Sequence, residues 1–463
     1  MVIAFFSCEK EGYVSSEDAR LVFSKDTIAF DTIFTTIGST TKRFTVQNHY
    51  DETILISSIK LAGGNTSNFR LNINGNAESE LYDVEIPAND SIYVFVEVTV
   101  DPTGQNLPMI VQDSIIFNTN ANLQEVNLLA YGQDFIMIKG ENLRTSTTWT
   151  ADKPYLVYDY VLVDSTATLT IEPGARIHFH NEAGLYVKGT IIADGTLENP
   201  IKFLSDKLDD SYKNVPDQWS TVLLFSGSHD NIFDFVTIKN ANIGLQVGTI
   251  ENEGFASVTL TNSKIENMAY AGLFALKSKI LGYNNVITNC GYYAAALLVG
   301  GEYEFYHTTI ANYWNHTTRI RKTPSLVLSN SLKTGGTTYN GDLTKAVFAN
   351  SIVYGTLSNE LDLNDNDENA FNFLFDHCIL GIPDTINTSN TEHYVDVLKG
   401  KCDALFVNPY RHDFQLDSLA SAINLGANEY AIMYPLDILG KSRSKDQAPD
   451  LGAYEYFEEE DED

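Results

Sequence analysis

The chain has 463 residues, and its 61 acidic against 30 basic residues give a formal net charge of -31. So acidic a balance argues against a nucleic-acid partner, whose phosphates it would repel. Hydrophobic residues make up 43%, enough for two or three cores, yet no run of about 18 apolar residues offers a membrane-spanning helix.

Residues 1–19 read as a signal remnant and tether. MVIAFFSCEKEG places a short apolar run before Ser7 and Cys8, and charge after it. This resembles the end of a bacterial lipoprotein signal peptide. The resemblance implies a lipidated Cys8, membrane attachment by that lipid anchor, and an outer-membrane location on the extracellular face. Glu9, Lys10 and Glu11 resemble the charged segment that accompanies surface export in lipoproteins of Bacteroidota-type bacteria. Phe6 departs from the usual small residue, and the charged n-region is missing. The alternative is an incidental Cys in a disordered N-terminus. The other cysteines stand at 290, 378 and 402, with no Cys-x-x-Cys pair, which excludes a zinc ribbon. Cys290 and Cys378 read as small buried hydrophobes, and a Cys378–Cys402 pairing stays open.

Residues 20–135 form short alternating segments split by turn residues: 43–48, 54–63, 69–74, 91–100, 114–119 and 126–132. Val94, Val96, Val98 and Val100 share one strand face. This pattern predicts a β-sandwich. The order VQN, a Gly-Gly strand end, IPANDSIYVFVEV and LLAYGQD resembles an immunoglobulin-like domain of the ASPM, SPD-2 and hydin type. Such domains are spacers or interaction modules.

Residues 136–167 read as a linker and cap, and 168–456 as a repeat. FVTIKNAN, NSKIENMA, NNVITNCG, HTTIANYW, SNSLKTGG, ANSIVYGT and DHCILGIP align on Ile238, Ile265, Ile287, Ile310, Leu332, Ile352 and Ile379, in steps of 27, 22, 23, 22, 20 and 27 residues. Asn240, Asn267, Asn289 and Asn312 follow two positions later. One coil cannot bury its inner face alone, so coils stack, Ile over Ile inside and Asn over Asn at the bend. Asn tolerates the left-handed conformation a tight bend needs. The leucine-rich-repeat signature is absent. TLTIEPGARIHFHNEAGLYVKGTIIADGTLENPIKF (168–203) resembles the first coils of right-handed parallel β-helix proteins of the pectate-lyase-like superfamily, and the segments at 413–428 and 435–456 resemble their C-terminal closing segment. The expected fold is therefore all-β, an N-terminal β-sandwich followed by a right-handed parallel β-helix. The tail, 457–463, reads as solvated charge.

The β-helix has several candidate sites. NYWNHTTRIRK (312–322) gathers cations behind two aromatics in an acidic chain. Tyr313, Trp314, His316, Arg319 and Arg321 could make a sugar platform, since aromatic faces stack on sugar rings and Arg forks grip carboxylates. The Arg319–Arg321 fragment resembles the polygalacturonase Arg-Ile-Lys, but the paired Asp and Gly-His-Gly of that family are absent. Asp362, Asp365, Asp367 and Glu368, with Asn364 and Asn366, are hard oxygen donors that could hold calcium, although Asp367 and Phe373 break an EF-hand pattern. His178 and His180 are expected to face outward, with Glu182 near. Asp234, Glu266, Glu302 and Glu304 share no column, so no acid–base pair and no catalytic residue is assigned. Asp-Ser/Thr steps at Thr27, Thr32, Ser91, Ser114, Ser165, Thr385 and Ser418 resemble the O-glycosylation acceptor of Bacteroidota-type exported proteins.

The reading is an exported cell-surface lipoprotein, a non-enzymatic scaffold or binding module for an outer-membrane protein complex or a polysaccharide. No cofactor is expected beyond that calcium. The alternative is a polysaccharide lyase or glycoside hydrolase.

Overall fold

The computed structural model describes residues 12–457, apart from 105, 107, 251–253, 317, 318, 401, 403 and 404. The protein is nearly all β, and it divides into two compact units. The first ends at Phe135 and includes residues 208–213; the second takes 136–207 and everything from 214.

The first unit is a sandwich of two sheets. One orders Val22–Phe23, Lys42–Gln47, Ser91–Val98 and Phe69–Ile73; the other orders Thr27–Phe34, Asn122–Gln133, Met109–Thr119, Ile54–Leu61 and Glu80–Ile86. Val94, Val96, Val98 and Val100 are fully buried, as their alternation requires, and pack with Phe44, Phe69 and Phe117. Asn120 and Ala121, both at positive φ, make the two-residue turn that joins the long hairpin at 109–133. Thr27–Phe34 and Glu80–Ile86 were not among the expected strands.

The second unit is a parallel β-helix with three strands per coil. One ladder runs Arg176–Phe179, Ile201–Ser205, Val236–Lys239, Lys264–Glu266, Val286–Thr288, Thr309–Asn312, Ile352–Gly355 and Ile379–Leu380, each parallel to the next. Two further ladders stack beside it, and single strands such as Ala271–Tyr283 turn the corner between them. Stacking puts like residues in contact: Phe305 lies 5.3 Å from Phe348, and Phe348 lies 5.1 Å from Phe375. Tyr155–Val163, expected in a cap, pairs parallel with Arg176–Phe179 and Gly184–Val187 and so belongs to the coils.

Ile238, Ile265, Ile287 and Ile310 are in register, as the repeat predicts. Two corrections follow further on. Leu332 is in no coil: Ser331–Thr334 pairs antiparallel with Thr337–Asn340 in a hairpin. Ile310 instead pairs with Val353, and Val353 with Leu380, so the aligned Ile352 and Ile379 sit one residue out of register. Asn-Ser-Leu at 330–332 mimics Asn-Ser-Ile at 350–352, and the apolar underside of the hairpin hides the break.

Candidate functional site, a groove along one corner of the β-helix

The Asn column marks a corner. Asn240, Asn267 and Asn289 take φ of 66°, 63° and 54°, the left-handed conformation that turns the chain between two ladders. Asn267 donates from Nδ2 to Asn240 Oδ1 at 2.6 Å. The later members turn to backbone: Asn312 donates to the Cys290 carbonyl at 2.8 Å, and the Asn289 side-chain oxygen accepts from Tyr313 N at 3.1 Å.

Residues just past this column line a groove. A cavity of about 1100 Å³ is walled by Tyr160, His180, Glu182, Tyr186, Lys207, Asp217 and Asn242. A second, of about 470 Å³, is walled by Asp217, Asn242, Tyr270, Tyr292, Trp314, His316 and Arg319. Asp217 and Asn242 line both, and Asn242 Nδ2 donates to Asp217 at 2.8 Å, so the two cavities adjoin along one corner as a groove. From Tyr160 to the Trp314 loop the groove crosses six coil-to-coil steps, through 184, 222, 245, 273, 295 and 326. At about 4.8 Å per step that is about 29 Å along the axis.

The floor is rigid. Trp219 stacks on Phe179 at 4.3 Å and donates to the Lys239 carbonyl at 2.8 Å. Tyr270 and Tyr292, from successive coils, lie 4.9 Å apart. Gly291 lets its coil pass close over the one before: an added Cβ would lie 2.2 Å from the Ala269 carbonyl oxygen.

The loop at 312–322 splits into two roles. Trp314, His316 and Arg319 line the groove, with the indole nitrogen donating to the Arg319 carbonyl at 3.1 Å. Tyr313 packs edge-on against Phe406, Tyr410 and Phe414, although one side borders a small cavity beside His412. Arg321 is buried and forks onto Glu360 at 2.6 and 2.7 Å, and it also donates to the Asn312 and Thr323 carbonyls and the Thr356 hydroxyl. The platform therefore lacks Arg321, whose partner no local pattern announces.

His178 is a second correction. It is buried, not outward-exposed, with Nδ1 at 2.8 Å from the Ser205 carbonyl; burial lowers its pKa to about 4, so it is neutral. His180 does reach the groove. It stacks on Tyr158 at 4.2 Å, and its Nδ1 lies 2.7 Å from the largely buried Asp206. Its Nε2 lies 3.1 Å from Asn181 Nδ2.

The calcium candidates do not converge. Asp365 accepts from Asn330 and from the Asp367 backbone, and Asp362 from Asn364. Among the described residues no three His, Cys, Asp or Glu side chains gather as metal ligands, in that loop or around His178, His180 and Glu182. Glu266 pairs instead with Lys239 and His412, which hold it ionised, with a pKa of about 2, despite burial. Cys378 and Cys402 are both free thiols, and buried Cys378 sits 3.2 Å from the Phe348 carbonyl. Of the glycosylation candidates, Thr27, Ser165, Thr385 and Ser418 are exposed, whereas Thr32, Ser91 and Ser114 are half-buried in strands. Cys8 lies outside the described residues.

Sequence reasoning missed Tyr270, Tyr292, Tyr186 and Asp217. A signal existed for two of them: Tyr270 and Tyr292 each stand three residues after a column Asn. No protein-family model matches the chain, and no curated protein does. Solved structures that it resembles include the Agl-KA catalytic domain (10% identity, TM-score 0.28, covering 78% of this chain and 76% of that one). A GH87 α-1,3-glucanase catalytic domain in complex with nigerose matches at 10% identity and TM-score 0.23, over 77% and 86%. A family 123 glycoside hydrolase from Clostridium perfringens matches at 8% and 0.17, over 25% and 26%. Likeness of that size carries no activity across to this chain.

Proposed function

We propose that this protein binds a polysaccharide chain laid along the Asn-marked corner of its β-helix. One observation carries the reading: two adjoining open cavities along one corner, spanning about six coil-to-coil steps, whose walls alternate tyrosines and a tryptophan with carboxylate, amide and cationic groups. Aromatic faces take the apolar faces of sugar rings, and the polar groups between them take hydroxyls. The test is affinity electrophoresis of the full chain against neutral and acidic polysaccharides. Retardation by at least one polymer is expected, with Trp314→Ala and Tyr186→Ala each weakening it about five- to tenfold without a change in melting temperature. Unchanged mobility of both variants would remove the groove from the reading.

A second reading, cleavage of the bound chain, is favoured by the His180–Asp206 pair on the groove wall beside Glu182. Assaying the same mixtures for new reducing or unsaturated ends decides it: release that His180→Gln abolishes makes the protein an enzyme.

We further propose export and lipid anchoring through Cys8 on the outer face of the outer membrane. Palmitate labelling lost in Cys8→Ser is the expected result. Mild-detergent co-purification then reads whether an outer-membrane protein complex is a partner as well.

A further inference from the structure

Three arginines of the β-helix differ in how their charge is met. Arg321 forks onto Glu360, and Arg443 is buried against Glu455. Arg319 has no such partner: among the described residues no carboxylate lies within ion-pair distance of it. Its guanidinium lies 4.3 Å over the Tyr292 ring, and one N–H reaches the Ala269 carbonyl at 3.5 Å. Asp217, the carboxylate lining the same cavity, accepts from Asn242. In a chain of net charge -31, an arginine held over an aromatic ring on a groove wall, with no carboxylate partner among the described residues, is a site in search of an anion. Trp314 stands beside it and ties down its backbone.

We propose that Arg319 forms an anion-selecting subsite of the groove. Trp314 stacks on one sugar ring while the Arg319 fork takes a carboxylate, sulfate or phosphate carried by that sugar or its neighbour. Tyr292 already holds the guanidinium over its ring, so less side-chain freedom is lost on binding. The local cation overrides the repulsive acidic surface over about one Debye length only, so preference for the anion weakens with salt.

This inference rests on the glycan reading, and matched ligands separate the two. Polygalacturonate is compared with its fully methyl-esterified form, and a sulfated galactan with its desulfated form, beside neutral glucans, all by isothermal titration at low salt. The expected result is binding about tenfold tighter for the anionic member of at least one pair, competed by inorganic phosphate. The responding pair identifies the anion. In Arg319→Gln the ratio falls to about one, while Lys333→Gln on the exposed hairpin leaves it unchanged and Tyr186→Ala weakens both members alike. Equal binding of both members, or a preference that survives Arg319→Gln, overturns the subsite and leaves the glycan reading standing. If no charged or neutral polymer binds, both fall.

Discussion

Two arginines two positions apart do opposite things in this protein. Arg319 lies on a ring at the surface of the groove, whereas Arg321 is sealed against a fully buried Glu360, which also accepts from Ser325 and Leu357 backbone N–H groups. Removing one member of a buried, hydrogen-bonded pair strands the other charge. Arg321→Met is therefore expected to cost about 3–5 kcal/mol in urea denaturation, and Glu360→Gln somewhat less because the amide keeps part of the bonding. Arg319→Gln should change stability by no more than about 0.5 kcal/mol. Equal losses at the two positions would contradict the division of roles. From the sequence, NYWNHTTRIRK was legible as a cationic aromatic loop, and Trp314, His316 and Arg319 do meet in one cavity wall. What separated Arg321 from them was not legible. Its carboxylate lies 39 residues on, and it arrives only when the next coil stacks beneath.

The coil is the element whose chemistry was easiest to read. Apolar residues at a steady interval, with Asn two positions later, required stacking and a left-handed bend; the stacking is found, and the bend at Asn240, Asn267 and Asn289 but not at Asn312, which ends a strand. The bend gives a sharp contrast. Asn289→Ala must keep φ near 54° with a Cβ penalty of about 1–2 kcal/mol and also loses its bond to Tyr313 N. Asn289→Gly loses the bond but not the conformation, so it should be the milder change by about 1 kcal/mol in thermal unfolding. The reverse order would mean that the side-chain bonds, not the backbone, set the corner. Reading failed where the period was interrupted. The stretch between 312 and 343 carries the loop and the hairpin on either side of the coil strand Leu326–Ser329, and a hairpin with one apolar face looks like another half-coil when only spacing is counted. The groove itself was invisible for a related reason. Tyr186, Asp217, Tyr270 and Tyr292 come from different coils at uneven loop lengths, so nothing but the three-dimensional stack aligns them.

At the largest scale, the β-helix unit is closed along a flank as well as stacked. Outward-facing Val286, Ala311, Ile352 and Ile379 are covered by Leu405, Phe414, Ile438, Leu451 and Ala453 of the C-terminal segment. Beneath that cover lies a sealed polar cluster. Arg443 is fully buried and bonds Glu455 and Asn284, Asp437 accepts from the Glu455 backbone, and Asp450 receives Asn424 and Tyr456 N–H groups. His307, also facing Arg443, is held neutral by burial. Three carboxylates around one guanidinium cannot all ionise without leaving net negative charge out of water. Burial accordingly pushes Asp450 up to about 6 and Glu455 up to about 8. Both folded values lie above the unfolded ones. The stabilisation is thus fully present below about pH 4, and it is lost as pH rises through 6 and then 8. Ordinary surface carboxylates have finished titrating by pH 6, and histidines titrate from 6 to 8 as well, so the comparison with Glu455→Gln is what assigns the response to the cluster. Hydrogen-exchange protection across 437–456, corrected for the base catalysis of exchange, should fall steadily over that interval in the unmodified protein. Glu455→Gln, whose amide cannot ionise, should flatten the upper half of the response while leaving protection in Arg176–Phe179, at the other end of the stack, as it is in the unmodified protein. A flat profile in the unmodified chain would show that Arg443 keeps both carboxylates ionised, and that the flank is sealed by charge pairing and not by a retained proton.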